Sequence, residues 1–258
     1  MRIATWNVNS ARTRAGLIAD FLKREQPDLL LLQEIKCETQ QFPAAAFEAE
    51  GYRAEVVGQK AYNGVAVLSR GAVTVTHRRL PGEEEDAAAR FIEIEAGGLL
   101  VGNLYLPNGN SGGGDGFAAK LDWMEKLRRH AASLLEHDRD FILAGDYNVC
   151  PTDADLAKGA LAADDALVRP ESRAAFRGLI WLGLTDALRA LHPGETLYTF
   201  WDYQAGAWQR DRGLRIDHAL LSPRVAERLE TVRVAREERD KPQPSDHVPV
   251  IVTLREPS

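Results

Sequence analysis

Short apolar runs rich in β-branched residues recur along most of the chain. Runs of this length and composition are typical of buried strands, because β-branched side chains pack well on a pleated surface. We therefore predict strands at 2–7, 29–33, 52–57, 64–69, 72–78, 91–95, 99–106, 141–146, 215–221 and 248–254.

Other segments repeat their apolar residues every three or four positions, which is the spacing along one face of a helix. The longest of these predicted helices covers 117–135, and an earlier one ends before Pro27. A further helix is predicted over 171–182, because Pro170 is a typical first residue of a helix.

The stretches 108–116 and 235–245 are predicted loops, and neither is long enough to be a linker between domains. The sequence has no repeat of fixed period and no low-complexity tract. Mixed strands and helices without a clear boundary favour one α/β domain over residues 1–258.

The composition is that of a globular protein, since 45% of the 258 residues are hydrophobic and 27% are charged. No apolar run approaches the roughly 18 residues that a membrane helix needs, and Met1 leads directly into a predicted strand. We therefore expect a cytoplasmic protein that does not contact a membrane. Cys37 and Cys150 lack the number and spacing of a disulfide set or a thiolate zinc site, which favours two reduced thiols.

The net charge of −6 argues at first against a nucleic-acid partner, because phosphate binding usually needs a basic surface. A nuclease, however, holds a divalent cation with carboxylates, while local Lys and Arg side chains line its groove. The acidic balance is therefore compatible with a nuclease.

The strongest candidate for chemistry is the tetrapeptide from Gly145 to Asn148, at the end of a predicted buried strand. Side chains two residues apart on a strand point to the same face, so Asp146 and Asn148 are expected to project together. The same tetrapeptide is also typical of a simple turn.

Asp246 and His247 form a second candidate, directly before the last predicted strand. A histidine that titrates near neutrality can stabilise a phosphorane-like transition state or move a proton. Such a pair on its own is also typical of a surface loop. Polar residues stand at other predicted strand boundaries as well, at Asn7, Glu34, Tyr105 and Asp217. Their recurrence favours a shared site.

Several segments, taken in order, resemble the exonuclease III family of AP endonucleases, within the larger endonuclease/exonuclease/phosphatase group that includes deoxyribonuclease I. The matching segments are 6–9 (WNVN), 32–36 (LQEIK), 62–69 (YNGVAVLS), 105–109 (YLPNG), 145–151 (GDYNVCP), 212–217 (RGLRID) and 245–249 (SDHVP). Order and spacing agree over nearly the whole chain, so the series is far more specific than any one segment. The resemblance implies a four-layer α/β sandwich, in which two packed mixed β-sheets are flanked by helices.

The resemblance also implies a Mg²⁺ site, with Mn²⁺ as a substitute, in which Glu34 is the principal ligand. The other residues expected near the ion, directly or through water, are Asn7, Asn9, Asp146, Asn148 and Asp246. Hard oxygen ligands and several retained waters suit Mg²⁺.

For catalysis, the resemblance implies that Asp146, positioned by Asn148, orients or deprotonates the attacking water, with Tyr105 as phenolate the alternative. His247 is expected to contact a phosphate oxygen. Asp217 is expected to bond the other ring nitrogen of His247, which fixes the tautomer and the orientation of the ring.

Phe200, Leu214 and Ile216 match the family's apolar pocket for the extrahelical deoxyribose of an abasic site, and plain core packing is the alternative for these residues. Asn108 is expected to bond a backbone phosphate. The adjoining segment 111–116 lacks the large or basic side chain that some relatives carry there, so the balance between endonuclease and exonuclease activity stays open.

The implied function is base excision repair by a monomeric enzyme. Such an enzyme hydrolyses the backbone of double-stranded DNA on the 5′ side of abasic sites and cleans or trims blocked 3′ ends. One alternative is a relative that acts on another phosphoester, such as RNA, an inositol phosphate or a phospholipid head group. A catalytically inactive nucleic-acid-binding relative is another, and the complete set of polar residues favours an enzyme over it.

Overall fold

The described part of the chain, residues 1–85 and 87–256 of a computed structural model, contains twelve strands and six α-helices. The strands are β1 (Arg2–Asn7), β2 (Leu29–Gln33), β3 (Arg53–Val57), β4 (Val65–Ser69), β5 (Thr74–His77), β6 (Phe91–Ala96), β7 (Leu99–Tyr105), β8 (Phe141–Asp146), β9 (Thr185–Asp186), β10 (Asp217–Leu221), β11 (Leu229–Val234) and β12 (Val250–Leu254). The helices are α1 (Ala15–Glu25), α2 (Ala44–Glu48), α3 (Gly113–Glu136), α4 (Pro170–Ile180), α5 (Ala187–Leu191) and α6 (Pro223–Glu227).

The strands form two six-stranded mixed sheets. The order is β11-β12-β1-β2-β4-β3 in the first sheet and β5-β6-β7-β8-β10-β9 in the second. The parallel pairs are β1 with β2 and β7 with β8, and the other neighbours are antiparallel. Each sheet therefore has one parallel pair at its centre.

Both sheets are covered on both faces, which explains the continuous apolar runs of the central strands. Alternate residues such as Leu31 and Ile142 point into the layer between the sheets. On the outer face of the first sheet, Trp6 packs against Phe21 of α1, and the outer face of the second sheet packs against α3 through Leu127. The resulting order of helix, sheet, sheet and helix confirms the four-layer α/β sandwich.

The predicted strands agree with the observed ones to within two residues at each end. The predicted helix at 171–182 corresponds to α4, which starts at Pro170 as its first residue. Cys37 and Cys150 are buried free thiols in the described part of the chain, as predicted.

The helix predicted from residue 117 begins four residues earlier, at Gly113, so the second half of the predicted loop at 108–116 is wrong. Gly116 lies in the first turn, where a Cβ atom would be 1.7 Å from the carbonyl oxygen of Ser111. The close approach requires glycine at this position. Because glycine is a poor helix former, the sequence pattern indicates a loop instead.

The sequence pattern did not predict β9, β11 or the short helices α2, α5 and α6. In β11, Glu230, Thr231 and Arg233 are exposed, and Val232 is the buried residue. An edge strand that carries so many polar side chains resembles a loop in composition. None of the described helices is both long and apolar enough to cross a membrane.

Candidate active site

Polar side chains collect where the central strands of both sheets end. Asn7 ends β1, and Asp146 ends β8 in register with Tyr105 of β7. Asp217 starts β10 opposite Asp146, because β10 runs antiparallel to β8. Asn7 Nδ2 lies 3.0 Å from Asp146 Oδ2, so the ends of the two sheets meet at this site.

Glu34 directly follows β2 with a φ of +49°, a left-handed conformation that is uncommon outside glycine and clusters at functional sites. Its carboxylate accepts a hydrogen bond from Asn7 Nδ2 at 2.8 Å and pairs with Lys36 Nζ at 2.9 Å. Burial alone would raise the pKa of Glu34, but the hydrogen bond from Asn7 and the charge of Lys36 hold it below its ordinary value. Glu34 is therefore a carboxylate at neutral pH.

Asn7 stands between two carboxylates. Its amide nitrogen donates to Glu34 and Asp146, and its Oδ1 accepts a hydrogen bond from the backbone N–H of Asn9 at 3.0 Å. A backbone N–H can only donate, so this bond fixes which end of the amide faces the cluster. Asn7, a predicted metal ligand, thus presents its nitrogen to the two carboxylates.

Asp146 is buried, and both of its carboxylate oxygens are held. Oδ1 accepts from the backbone N–H of Asn148 at 2.9 Å, and Oδ2 accepts from Asn7. Burial raises the pKa of Asp146 to about 7. The positive charge of His247 lowers this pKa, and the negative charge of Asp217 raises it. Gly145 is required beside it, because a Cβ atom there would lie 1.9 Å from the carbonyl oxygen of Leu104.

The imidazole of His247 lies between two aspartates. Its Nδ1 is 2.8 Å from Asp217 Oδ2, and its Nε2 is 3.8 Å from Asp146 Oδ2. The hydroxyl of Thr199 donates to the same Asp217 oxygen at 2.6 Å. Burial lowers the pKa of His247, but the negative charges of Asp217 and Asp146 outweigh it and raise the pKa to about 10. The ring is therefore a cation at neutral pH, with Nε2 toward the cluster.

Tyr105 lies beside Asp146, with the guanidinium of Arg90 4.6 Å from the centre of its ring. Burial, and then the negative charges of Glu34 and Asp146, raise the pKa of Tyr105 far above its ordinary value. The hydroxyl is therefore protonated in this environment, which favours a hydrogen-bond donor over the phenolate alternative.

Asp246 lies at the outer side of the cluster. Its Oδ1 accepts from Asn9 Nδ2 at 3.2 Å, and Asn9 Oδ1 accepts from Lys36 Nζ at 2.6 Å. Asp246 is thus joined to Glu34 through these two side chains. Glu34, Asp146 and His247, by contrast, each offer a ligand atom within 4.8 Å of the others.

Phe200 and Leu214 line a cleft of about 250 Å³ beside the cluster. The ring of Phe200 packs against His247 with 4.9 Å between the ring centres. Ile216 is buried and packs with Leu214 and Cys150. The three predicted pocket residues are therefore adjacent, with Phe200 and Leu214 at the cleft surface and Ile216 in the core.

A larger groove of about 770 Å³ lies on the other side of the cluster and is lined by Asn108, Arg90 and the exposed Tyr62. The amide of Asn108 donates to Asn148 Oδ1 at 3.0 Å. Because the backbone of Asn148 holds Asp146, Asn108 connects this groove to the buried carboxylate.

Lys120 of α3 is a residue that sequence reasoning missed, and its side chain is fully buried beneath the site. Its Nζ donates to the backbone oxygen of Asn148 at 2.6 Å and to that of Asn108 at 3.0 Å. Burial lowers the pKa of Lys120 to about 8. The signal in the sequence is a lysine that shares helical spacing with the apolar residues Trp123 and Met124.

A buried polar bridge between the sheets was missed as well. Gln33 Nε2 donates to Asn103 Oδ1 of the second sheet at 2.7 Å and to Thr5 Oγ1 at 2.9 Å. Gln33 precedes Glu34, so the bridge fixes the strand end that carries this carboxylate. The signal in the sequence is the presence of Thr5, Gln33 and Asn103 within apolar strands, because buried polar side chains need hydrogen-bond partners.

The comparisons with known proteins agree with one another. The model of the endonuclease/exonuclease/phosphatase family matches residues 4–247. Exodeoxyribonuclease III of Haemophilus influenzae is 34% identical over 264 residues, which cover 97% of this chain and 98% of that protein.

Solved structures share the same fold over nearly the whole chain. A 3′ phosphatase from Neisseria, bound to a product DNA hairpin, superimposes with a TM-score of 0.94 at 38% identity and covers 99% of this chain and 100% of its own. An AP endonuclease from Archaeoglobus fulgidus gives a TM-score of 0.93 at 34% identity, covering 98% of this chain and 99% of its own. The chain belongs to the endonuclease/exonuclease/phosphatase family.

Proposed function

We propose that this protein is a Mg²⁺-dependent DNA repair nuclease. It hydrolyses the backbone of double-stranded DNA on the 5′ side of abasic sites and processes 3′ ends, and it acts as a monomer. The observation that carries the proposal is the buried cluster at the joined sheet ends, in which Glu34, Asn7, Asp146, His247 and Asp217 form one connected network.

The side chains of the cluster fit a hard divalent cation. Glu34 and Asp146 each offer a carboxylate oxygen within 4.8 Å of the other, and the ammonium of Lys36 already places a positive charge 2.9 Å from Glu34 Oε2. Glu34 is the proposed principal ligand, while Asp146, Asn148 and Asp246 contribute directly or through water. Asn7, whose amide nitrogen faces the cluster, contributes through a water. When bound, Mg²⁺ supplies positive charge that offsets the charge of the phosphate and of the leaving oxygen.

His247 is proposed to bind a nonbridging phosphate oxygen. Its Nδ1–H donates a hydrogen bond to Asp217, so Nε2–H is the donor that remains for a substrate. A cationic donor in a buried site stabilises the extra negative charge that develops on the phosphate as water attacks. Asp217 and Thr199 position this ring, and neither touches the phosphate in the proposed mechanism.

Asp146 is proposed to orient the attacking water and to accept its proton. The carboxylate is held at Oδ1 by Asn148 and at Oδ2 by Asn7, so its direction is fixed before substrate arrives. The protonated hydroxyl of Tyr105 is proposed as a hydrogen-bond donor to the reacting phosphate. Attack by water in line with the leaving oxygen needs no covalent bond to the enzyme.

The substrate proposal depends on the two openings beside the cluster. The apolar cleft at Phe200 and Leu214 suits a deoxyribose that has lost its base, because such a sugar is small and its extrusion costs little pairing energy. The groove at Asn108, with Arg90 in its lining, suits the phosphate backbone of the duplex. A 3′ phosphatase and an AP endonuclease among the structural neighbours support both proposed activities.

The substrate class is tested by cleavage of three compounds under the same conditions. These are a duplex with one tetrahydrofuran abasic analogue, the same duplex without it, and a soluble inositol phosphate. We expect nicking at the analogue and the slow removal of 3′ nucleotides from both duplexes. Hydrolysis of the inositol phosphate alone would overturn the DNA proposal.

The abasic pocket is tested by filling the cleft. Ala160 lines it, so Ala160→Trp should abolish nicking at the analogue and leave Mg²⁺-dependent hydrolysis at 3′ ends in place. Ala162→Trp is the matched control, because Ala162 is exposed in the same loop. Normal abasic nicking by Ala160→Trp would contradict the assignment of the cleft.

A further inference from the structure

A second cluster of metal-ligating side chains lies on the outer face of the second sheet, apart from the strand-end site. Glu93 of β6, His77 of β5 and His130 of α3 each offer a ligand atom within 4.8 Å of the others. His77 Nδ1 is 2.9 Å from Glu93 Oε1, and His130 Nε2 is 2.7 Å from Glu93 Oε2. The proposed mechanism uses none of these residues.

A β-bulge in β5 brings the side chain of His77 to this cluster. Val75 pairs with Ile94 and His77 pairs with Glu93, so Thr76 is an extra residue between them. A bulge of this kind re-aims a side chain, since successive residues on a regular strand point to opposite faces. His77 and Thr76 therefore both reach Glu93, and Thr76 Oγ1 donates to Glu93 Oε1 at 2.7 Å.

The carboxylate of Glu93 is held as an anion in an apolar layer. Its side chain is 1% exposed, and Phe91 of the same strand packs edge-on against the ring of His130. Burial alone would raise the pKa of Glu93, but hydrogen bonds from His130 and Thr76 and the charge of His130 lower it to about 2. A carboxylate and two imidazole nitrogens therefore converge at one place in this layer, within 4.8 Å of one another.

We propose that His77, Glu93 and His130 form a binding site for Zn²⁺, or for a divalent cation of the same borderline class. Two imidazole nitrogens and one carboxylate oxygen are a ligand set that Zn²⁺ accepts, with a water in the fourth position. The side chain of His77 is 45% exposed, which gives the ion and that water access from solvent.

Binding requires only a modest rearrangement of the three side chains. Ligand atoms about 2.0–2.1 Å from a tetrahedral Zn²⁺ are about 3.3 Å apart. The ligand atoms of the cluster lie within 4.8 Å of one another, so no pair needs to approach by more than about 1.5 Å. Each imidazole binds the ion as the neutral ring through the nitrogen that now faces Glu93. The proton on that nitrogen is released to solvent or replaced by one on the other ring nitrogen, and its hydrogen bond to Glu93 is lost.

Zn²⁺ at this position joins three elements. β5 is the edge strand of the second sheet, and α3 covers that sheet, so the ion fixes an edge strand to both its neighbour and the helix. The proposed role is structural, because an edge strand with few pairing partners is held weakly by backbone hydrogen bonds alone.

The test is calorimetric titration of the full chain with Zn²⁺ in a Glu34→Gln background, which weakens metal binding at the strand-end site. We expect the Glu34→Gln protein, which is the parent in this experiment, to bind one Zn²⁺ at this cluster and to gain thermal stability with it. In the same background, His77→Ala should weaken this binding at least about tenfold. His137→Ala is the matched control, since His137 is an exposed histidine at the end of the same helix α3.

The variant His77→Cys tests whether His77 is a metal ligand or has only a structural role. A thiolate also binds Zn²⁺, so His77→Cys should recover the binding that His77→Ala loses, and Co²⁺ in its place should show a thiolate-to-metal absorption band. Equal Zn²⁺ binding by the parent and by His77→Ala, or no binding by the parent, would overturn the proposal. Neither result bears on nuclease activity.

Discussion

At the scale of single residues, one oxygen of Asp217 orients His247 and makes the largest contribution to its positive charge. Oδ2 accepts hydrogen bonds from both Thr199 and His247, while Oδ1 is buried without a hydrogen-bond partner among the described residues. An anion that is only partly compensated by hydrogen bonds attracts a neighbouring cation strongly in a buried site. Asp217 thus keeps the imidazole both oriented and charged.

Asp217→Asn should lower kcat for abasic nicking by about 10- to 100-fold, because the ring loses the partner that fixes its orientation and charge. KM should change little, since Asp217 does not reach the substrate in the proposed mechanism. Steady-state kinetics on the abasic duplex measure both constants, with the exposed Asp164→Asn as control. Wild-type turnover in Asp217→Asn would contradict the role given to His247.

Lys120→Met should reduce the free energy of unfolding by about 2–4 kcal/mol, because the buried carbonyl group of Asn148 and the partly buried one of Asn108 lose their donor. Urea unfolding measures the loss, and Lys23→Met, an exposed lysine of α1, is the matched control. The activity of the folded variant should fall as well, since Asn148 orients Asp146. A loss no larger than in the control would show that these carbonyl groups do not depend on Lys120.

The sequence placed the polar residues of the site at strand ends, and the structure brings most of them together. It could not give the orientation of Asn7, which is decided by the backbone N–H of Asn9. It also could not show that Asn9 and Lys36 join Asp246 to Glu34, because such links depend on loop geometry. Hydrophobic spacing indicates burial and says nothing of these bonds.

At the scale of elements, the first turn of α3 depends on glycine at one position and not at another. Gly116 packs against the carbonyl oxygen of Ser111, whereas nothing lies within 4 Å of the position that a Cβ atom of Gly114 would occupy. A glycine that meets no neighbour only weakens a helix, because it has more freedom to lose on folding.

Gly114→Ala should therefore raise the free energy of unfolding by up to about 1 kcal/mol. Gly116→Ala should lower it by about 1–3 kcal/mol, because the methyl group forces the turn apart. Thermal unfolding of the two variants beside the parent checks both signs. Equal effects of the two substitutions would contradict the observed start of α3.

The long helix and the buried strands were predictable because each has a clear period or a continuous apolar run. The start of α3 was not predictable, because Gly116 is required by packing but glycine disfavours a helix. The edge strand β11 was missed because solvent covers much of it, so polar side chains interrupt its pattern. Tertiary packing decides both cases.

At the scale of the whole molecule, a buried ionic network ties the loop before α4 to the second sheet. Asp155 accepts from Arg215 Nε at 2.7 Å and from the guanidinium of Arg189 at 2.5 Å, and Arg215 also pairs with Asp186 of β9. Burial alone would raise the pKa of Asp155, but these arginines hold it far below the ordinary value of 3.8. Asp155 thus contributes stability as an anion.

Asp155→Asn should reduce the free energy of unfolding by about 3–5 kcal/mol at neutral pH, because the buried Arg215 and the partly buried Arg189 lose their anion. A carboxyl group with a lowered pKa stabilises the fold above its unfolded pKa and loses that contribution as pH falls through its folded pKa. The difference from the parent should therefore shrink below about pH 3.8. Urea unfolding at several pH values measures it, with the exposed Asp153→Asn as control. A difference that is constant with pH would contradict the charged state of Asp155.

The arrangement of two sheets with equivalent central pairs could not be derived from periodicity, which predicts strands but not their partners. The resemblance to known enzymes supplied the four layers, and the two six-stranded sheets of the structure agree with it, while the strand order was not predicted. Long-range pairs such as β1 with β12 join residues at opposite ends of the chain. No local pattern contains this information.

The most direct test of the central claim is cleavage of a 5′-labelled duplex with one tetrahydrofuran abasic analogue, by the parent and by Glu34→Gln, in Mg²⁺ or in EDTA. We predict a single nick on the 5′ side of the analogue that leaves a 3′ hydroxyl, and its loss in EDTA and in Glu34→Gln. Glu50→Gln, at an exposed glutamate, should cut as the parent does. Nicking by the parent that survives EDTA, or by Glu34→Gln at the parental rate, would contradict the proposed metal-dependent mechanism.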